Sequence, residues 1–176
     1  MSDLVCELVK EDDPFLKEIP EAFDFDNPQV DSEKLVDQIK ENMIHHRGVG
    51  LSANQIGIPL KVFDFLFDDK ITVTFNQEIL EWSEETIYMR EGCLSFPGLY
   101  FPVTRAETIA VQFQAFDGEE QAGSLTGLSS IVYQHEMEHM NGNLFTQNAS
   151  KFKLRQSMKK RDKYLNKINK QKGKNA

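Results

Sequence analysis

The sequence has 176 residues, which is enough for one domain with a proper hydrophobic core and short for two. Hydrophobic residues make up 40% of it, the net charge is -8, and two cysteines are too few for a disulfide-stapled protein. It has neither a signal-peptide pattern at its start nor an apolar run of membrane length, so we expect a cytoplasmic protein without membrane contact, in a cell, an organelle or a virus-infected host.

The N-terminal part is predicted to be irregular and then helical. Residues 11–29 are acidic, rich in Phe and interrupted by prolines, which is typical of a segment that wraps around a domain. Asp31 or Ser32 is a suitable N-cap for the helix that follows, which is expected to end near Gly48. The apolar face of this helix is marked by residues at helical spacing: Leu35, Val36, Ile39 and Met43.

A glycine-rich stretch over residues 48–57 comes next. Gly48 and Gly50 flank Val49, and such glycines let the backbone approach a ligand closely, although Gly-x-Gly is more often a simple turn. Gln55 is the functional candidate in this stretch. Its amide can donate a hydrogen bond to developing negative charge without competing for a metal ion.

Strands are predicted in the middle of the chain. Apolar and polar residues alternate over 60–65, 71–75 and 108–116, and Asp117-Gly118 predicts a hairpin turn after the last of these. Because strands dominate the middle of the chain and helices its ends, we expect an α+β fold rather than a doubly wound one.

Cys93 lies between predicted strands, in a segment over residues 91–95 that reads Glu-Gly-Cys-Leu-Ser. A lone Cys is ordinarily a small buried hydrophobic residue. Here its thiolate is a candidate metal ligand, because a histidine pair further along the chain supplies only two protein ligands. A third ligand would leave the fourth position open, which is the catalytic rather than the structural arrangement.

That histidine pair belongs to a His-Glu-x-x-His pattern in a predicted short, buried helix. His135 and His139 are four residues apart, so both imidazoles project from one helix face and can bind one metal ion. A carboxylate at the position of Glu136 commonly takes the proton of the attacking water in metal hydrolases. Thr126 is a suitable N-cap and Gly142 a stop signal. Chance spacing of ordinary histidines is the competing interpretation.

The C-terminal segment, residues 151–176, is predicted to be a basic amphipathic helix with a tail. It holds 11 Lys and Arg and one acidic residue, so it carries +10 and the rest of the chain carries -18. Apolar residues recur in it at helical spacing: Leu154, Met158, Leu165 and Ile168. We therefore expect any contact with a polyanion to involve this segment, and nothing indicates recognition of a DNA sequence.

Three motifs in this order resemble those of the peptide deformylases. They are Gly-x-Gly-x-x-x-x-Gln at residues 48–55, Glu-Gly-Cys-Leu-Ser at residues 91–95 and Gln-His-Glu-x-x-His at residues 134–139. The resemblance implies antiparallel strands packed around a central metal-binding helix, with a C-terminal helix. It also implies a catalytic unit over residues 1–150, with the C-terminal segment as part of the same single domain.

The resemblance implies a metal-dependent hydrolase that removes the N-formyl group from the N-terminal formyl-methionine of newly made polypeptides and releases formate. Three residues would bind the metal ion: Cys93, His135 and His139. Glu136 would be the general base and then the general acid, while Gln55 and the backbone N–H of Leu94 would hold the oxyanion. Six residues would surround the methionine side chain: Val49, Gly50, Met89, Leu128, Ile131 and Val132. The three on the helix are explained equally well as core residues.

The resemblance also implies a native metal ion, a partner and the roles of two charged residues. Its native metal is Fe²⁺, although Zn²⁺, Ni²⁺ or Co²⁺ suit the same ligands and ligand chemistry alone does not choose among them. In bacterial members a C-terminal helix contacts the ribosome, and the basic segment here suits rRNA phosphates. Glu138 stands where the family usually has Asp, which moves a charge beside His139. Arg105 matches a basic position of the family and is expected to be structural.

Two rival interpretations remain at the level of sequence. A metallopeptidase of the His-Glu-x-x-His kind would need neither Cys93 nor Gln55. A binding or regulatory protein that has lost its chemistry would use the basic tail as its working part, but it would have no need of Glu136.

Overall fold

The computed structural model describes residues 4–172. An irregular N-terminal segment contains one short 3-10 helix, Pro14–Lys17. The α-helices are α1 (Ser32–His46), α2 (Gly127–Met140) and α3 (Lys151–Lys172). The strands are β1 (Gly50–Ser52), β2 (Val62–Phe67), β3 (Lys70–Trp82), β4 (Thr86–Gly92), β5 (Tyr100–Ala106), β6 (Thr108–Gln114) and β7 (Glu120–Thr126).

The strands form two antiparallel sheets. The larger sheet has five strands in the order β1-β2-β3-β6-β7, and β4 pairs with β5 in a separate two-stranded sheet. The predicted Asp117-Gly118 turn connects β6 to β7, with Gly118 at φ +85°. The architecture is α+β, as the sequence predicted.

Helix α2 lies at the centre of the molecule and contacts both sheets. Tyr133 of this helix packs edge-on against Phe63 and Phe65 of β2, with ring centroids 4.9 and 5.2 Å apart. Alternate residues of β2 face the opposite way, where Val62 packs with the apolar stripe of α1, including Leu35, Ile39 and Met43. The apolar pattern of α2 therefore fixes the histidine-bearing helix between the sheets.

The sequence patterns missed three strands. Strand β1 lies in the glycine-rich stretch over residues 48–57, where no alternation predicts a strand, and its backbone pairs with β2. Strand β4 is mostly exposed and lacks regular alternation, while β5 contains Pro102 opposite Arg90. A proline cannot donate a ladder hydrogen bond, but a two-stranded sheet leaves each strand an open edge that tolerates it.

The first half of helix α3 packs against the body of the protein. Leu154 packs against a cluster that includes Phe96 and Phe145, and Arg161 forms an ion pair with Glu11. Most of its other charged side chains are exposed. The side chain of Ile168 and residues 173–176, which belong to the predicted helix and tail, lie outside the described residues. Between residues 4 and 172 no helix combines the length and apolar character needed to cross a membrane.

Candidate metal and catalytic site

A cavity of about 290 Å³ lies between the loop that precedes β1, strand β4 and helix α2. Every site residue predicted from the sequence lines it, except His139. His139 is buried next to a lining residue, with its Nε2 3.3 Å from Cys93 Sγ. The three sequence motifs, although far apart along the chain, therefore meet at one place.

Cys93, His135 and His139 form a cluster of potential metal ligands. One donor atom from each residue lies within 4.8 Å of the other two, and the side chains are nearly buried. The two histidines come from one face of α2, and the cysteine comes from the loop after β4. Two imidazoles and a thiolate are a suitable ligand set for a divalent transition metal ion, and three protein ligands leave a coordination position open.

A chain of ion pairs orients His135 from outside the cluster. Its Nδ1 lies 3.1 Å from Glu91 Oε2, which leaves the other ring nitrogen available as a ligand. Both carboxylate oxygens of Glu91 also accept hydrogen bonds from Arg105, at 2.6 and 2.8 Å. Arg105 in turn donates to Glu138 of α2 at 2.8 and 3.1 Å. Burial would raise the pKa of Glu91, but the hydrogen bonds from His135 and Arg105 lower it.

The two histidines differ in their affinity for protons. Burial lowers the pKa of His139 to about 3, with a further contribution from the charge of His135, so the His139 ring is neutral. Burial acts in the same direction on His135, but contacts with Cys93 and Glu91 outweigh it and raise its pKa to about 10. A metal ion that binds this cluster therefore competes with a proton, which makes its affinity depend on pH.

Glu136 reaches the cavity beside the ligand cluster and is only 3% exposed. Burial raises its pKa to about 7, although the charge of His135 opposes the shift. Within the described part of the chain its Oε2 has no hydrogen-bond partner. A buried carboxylate with a free oxygen and a pKa near neutrality is well suited to take up and release a proton.

Gln55 lies in a 3-10 helix, Ala53–Ile56, that follows β1 directly. Its Oε1 accepts hydrogen bonds from the backbone N–H and the hydroxyl of Ser52, both at 3.0 Å. This fixes which way the amide points, so that Nε2 faces Ser95 Oγ at 3.2 Å and Cys93 Sγ at 3.3 Å. A donor is thereby held beside the ligand cluster.

The residues predicted to surround methionine divide into two groups. Val49, Met89 and Leu128 are 46%, 39% and 52% exposed and lie at the mouth of the cavity. Gly50, Ile131 and Val132 are buried in its wall, and Val132 also belongs to the core around Tyr133. Val132 therefore both lines the cavity and belongs to the core, whereas half-exposed Leu128 lines the cavity without being a core residue.

Several lining residues were not identified from the sequence. Arg47, Arg90 and Tyr100 also border the cavity. Isolated charged or aromatic residues outside a motif carry no local signal of function, so spacing could not have found them. Glu91 and Ser95 belong to a sequence motif, but their contacts are with partners from distant segments, which the motif does not reveal.

Comparison with known proteins places this chain in a family. A polypeptide deformylase family profile matches residues 5–155. A peptide deformylase of Bartonella henselae is 38% identical over 146 residues, which cover 80% of this chain and 82% of the relative. A solved peptide deformylase structure from Legionella pneumophila has a TM-score of 0.82 at 31% identity and covers 94% of this chain and 98% of its own. One from Thermotoga maritima has a TM-score of 0.77 at 33% identity, covering 83% and 98% respectively. This chain is a member of the polypeptide deformylase family.

Proposed function

We propose that this protein removes the N-formyl group from the N-terminal formyl-methionine of newly made polypeptides and releases formate. The observation that carries the proposal is the meeting of Gln55, Cys93, His135 and Glu136 at one cavity, with His139 in the same ligand cluster. Neither a metallopeptidase nor a protein without chemistry would need all of these groups. The family membership supports the same reaction.

Cys93, His135 and His139 would hold a divalent metal ion. When bound, the ion supplies Lewis acidity, which lowers the pKa of a water molecule to near neutrality. Glu136 takes the proton from the attacking water and then delivers it to the leaving nitrogen of the methionine. Its pKa of about 7 suits both transfers at neutral pH, because neither protonation state is strongly disfavoured.

Negative charge develops on the formyl oxygen as the water attacks the formyl carbon. The Nε2 group of Gln55 and the backbone N–H of Leu94 would donate hydrogen bonds to this oxygen. Ser52 holds the Gln55 amide in the required orientation before the substrate arrives, so no reorganisation is needed during the reaction. Removal of one such donor typically costs about 100-fold or more in kcat.

The methionine side chain would occupy the apolar part of the cavity. Its wall contains Gly50, Ile131 and Val132, and its mouth contains Val49, Met89 and Leu128. A flexible, unbranched side chain such as methionine fits an apolar pocket of this modest volume.

The native metal ion is proposed to be Fe²⁺, with Zn²⁺, Ni²⁺ and Co²⁺ as substitutes. The ligand set accommodates all four ions, so the choice rests on the family resemblance rather than on the donor atoms. We place the reaction in the cytoplasm, or the equivalent compartment of an organelle or infected host, where new polypeptides emerge.

We test the reaction by measuring formate release from a formyl-Met tripeptide, using protein loaded anaerobically with Fe²⁺. The wild type should release formate, and Glu136→Gln should lose about 100-fold or more in kcat, because a neutral amide cannot take the proton. Metal analysis of both proteins serves as the control, since the amide leaves the three ligands intact. Folded, metal-loaded wild type that releases no formate would rule the proposal out.

The tail is proposed to dock on the ribosome while residues 1–150 form the catalytic unit of the same domain. Leu154 ties the start of α3 to the body, and the family profile extends to residue 155. The exposed Lys and Arg of α3 suit contacts with rRNA phosphates, whose strength should fall steeply with salt. Deleting residues 151–176 should abolish co-sedimentation with ribosomes at low salt. Unchanged co-sedimentation of the truncated protein would exclude this role.

A further inference from the structure

Two arginines border the mouth of the catalytic cavity. Arg47 is the C-cap residue of α1, and Arg90 lies on β4, next to Met89. Both are exposed. The other charged groups that line the cavity, including Glu91, His135 and Glu136, are buried and engaged in the ligand cluster or its surroundings. The only solvent-exposed charges along its described lining are therefore positive.

Neither guanidinium is neutralised by the protein itself. Across residues 4–172, the side chains of Arg47 and Arg90 make no hydrogen bond and no ion pair with a carboxylate. By contrast, Arg105 is held by Glu91 and Glu138, and Arg161 by Glu11. The two arginines at the cavity are thus free to bind an anionic group from outside.

The two arginines are opposite in charge to the protein that surrounds them. Residues 1–150 carry a net charge of -18. A protein with this net charge generally repels an acidic peptide. Two unneutralised cations at the mouth of the cavity should instead attract an anionic group to that place.

The position of the arginines matches the path of a polypeptide. If methionine occupies the interior beside Ile131 and Val132, the residues after it must leave through the exposed mouth formed by Val49 and Met89. Arg47 precedes Val49 by two residues, and Arg90 directly follows Met89. Side chains at the second and third positions of the polypeptide are the first to come within reach of either guanidinium.

We propose that Arg47 and Arg90 select formylated polypeptides that carry Asp or Glu at the second or third position. This inference rests on the proposed deformylase function and adds a substrate preference to it. Because exposed ion pairs are weak and screened by salt, the preference over an uncharged isostere should be about threefold to tenfold at low ionic strength. It should nearly vanish at about 0.5 M salt.

The test uses formylated tripeptide amides, in which the C-terminal amide removes the only other negative charge. One series varies the second residue among Glu, Gln and Lys, and the other varies the third. For wild type we expect kcat/KM to follow the order Glu, Gln, Lys in at least one series. The ratio of Glu to Gln should fall to about one in the double variant Arg47→Gln/Arg90→Gln. The reversed variant Arg47→Glu/Arg90→Glu should prefer Lys.

Arg155→Gln is the matched control, because Arg155 is an exposed arginine on α3 that does not line the cavity. It should keep the wild-type ratio of Glu to Gln. Since each ratio is measured within one protein, partial loss of folded enzyme cancels. Equal cleavage of the Glu and Gln peptides by wild type, or an unchanged preference in the double variant, would overturn the proposed substrate preference but not the deformylase function. No formate from any peptide, including the uncharged ones, would overturn the deformylase function with it.

Discussion

Gly50 shows at the residue scale why a glycine is needed beside the catalytic cavity. A Cβ atom at this position would lie 2.6 Å from Val132 Cγ1 and 2.7 Å from Glu136 Oε1. The first strand therefore passes so close to α2 that a side chain would collide with the proposed general base. The sequence suggested close approach to a ligand, whereas the closest groups belong to the protein itself.

Gly50→Ala should displace Glu136 and lower kcat by about 10- to 100-fold, because small misplacements of a catalytic group are costly. Metal content should stay near that of wild type, since none of the three ligands is touched. Gly123→Ala is the matched control, because a Cβ on that exposed strand residue meets no atom within 4 Å. Steady-state formate release with metal analysis makes the comparison, and equal kcat for the two variants would contradict the role given to Gly50.

Asp64 is a second buried carboxyl group near the site, and it is fully buried in β2. Within residues 4–172 neither of its oxygens has a hydrogen-bond partner at normal distance. Burial raises its pKa to about 9, and the charge of Glu136 adds to the shift, while backbone groups of Leu51 and Asp64 oppose it. Asp64 is thus protonated in the folded protein at neutral pH.

This protonation makes stability depend on pH. The carboxyl group has a pKa near 3.8 when unfolded and about 9 when folded, so between these values the folded state binds one more proton. The contribution of Asp64 to the free energy of unfolding should therefore fall as pH rises, by up to about 1.4 kcal/mol per pH unit. Asp64→Asn keeps the shape without this penalty. Urea unfolding between about pH 5 and pH 8 should show that the variant becomes increasingly more stable than wild type as pH rises. A constant difference in the free energy of unfolding across this range would contradict the buried proton.

At the scale of elements, α2 could be predicted from the sequence and the β4–β5 pair could not. The helix combines a local apolar repeat, an N-cap and a motif whose geometry depends only on helical spacing. Strands β4 and β5 instead form only by pairing with each other. Most residues of β4 are exposed, and β5 contains Pro102, which pairs with Arg90 of β4, so neither segment shows a strand pattern by itself. Pairing between segments is a non-local property, so period-two alternation did not reveal it.

The same distinction applies to the site. Candidate ligands could be found because the histidines lie four residues apart and Cys93 belongs to a recognisable motif. The ion-pair chain from Glu138 through Arg105 and Glu91 could not be found, because Glu91 and Glu138 come from β4 and α2. Nothing in the local sequence around Arg105 indicates which carboxylates it meets.

This ion-pair chain connects β4, β5 and α2 through Glu91, which also holds His135. Glu91→Gln keeps an acceptor for the imidazole N–H but removes the charge that strengthens the ligand, so metal affinity should fall by about 10- to 100-fold. Glu138→Gln is the control, because Glu138 contacts Arg105 and not His135. This variant should lose less metal affinity than Glu91→Gln. Zn²⁺ competition against a chelating dye measures both, and equal losses would contradict the path through Glu91.

For the whole molecule, the ligand cluster connects parts of the chain that are otherwise distant. Cys93 and His139 are 46 residues apart, one in the loop after β4 and the other in α2. A metal ion bound between them adds a constraint that the unfolded chain does not have. Binding to the folded state alone stabilises a protein by about 2.7 kcal/mol when free metal is 100 times its Kd.

Chelation should therefore lower the melting temperature of the Zn²⁺-loaded protein by about 5 to 10 °C, given its size. Cys93→Ala should lose most of this response, because two imidazoles alone bind the ion weakly. Cys6→Ala is the matched control, since Cys6 is a free cysteine outside the cluster, and it should respond like wild type. Scanning calorimetry with and without chelator measures the melting temperature of each protein. A wild-type melting temperature indifferent to chelator, or a full response in Cys93→Ala, would mean that the cluster does not hold metal as a structural part of the fold.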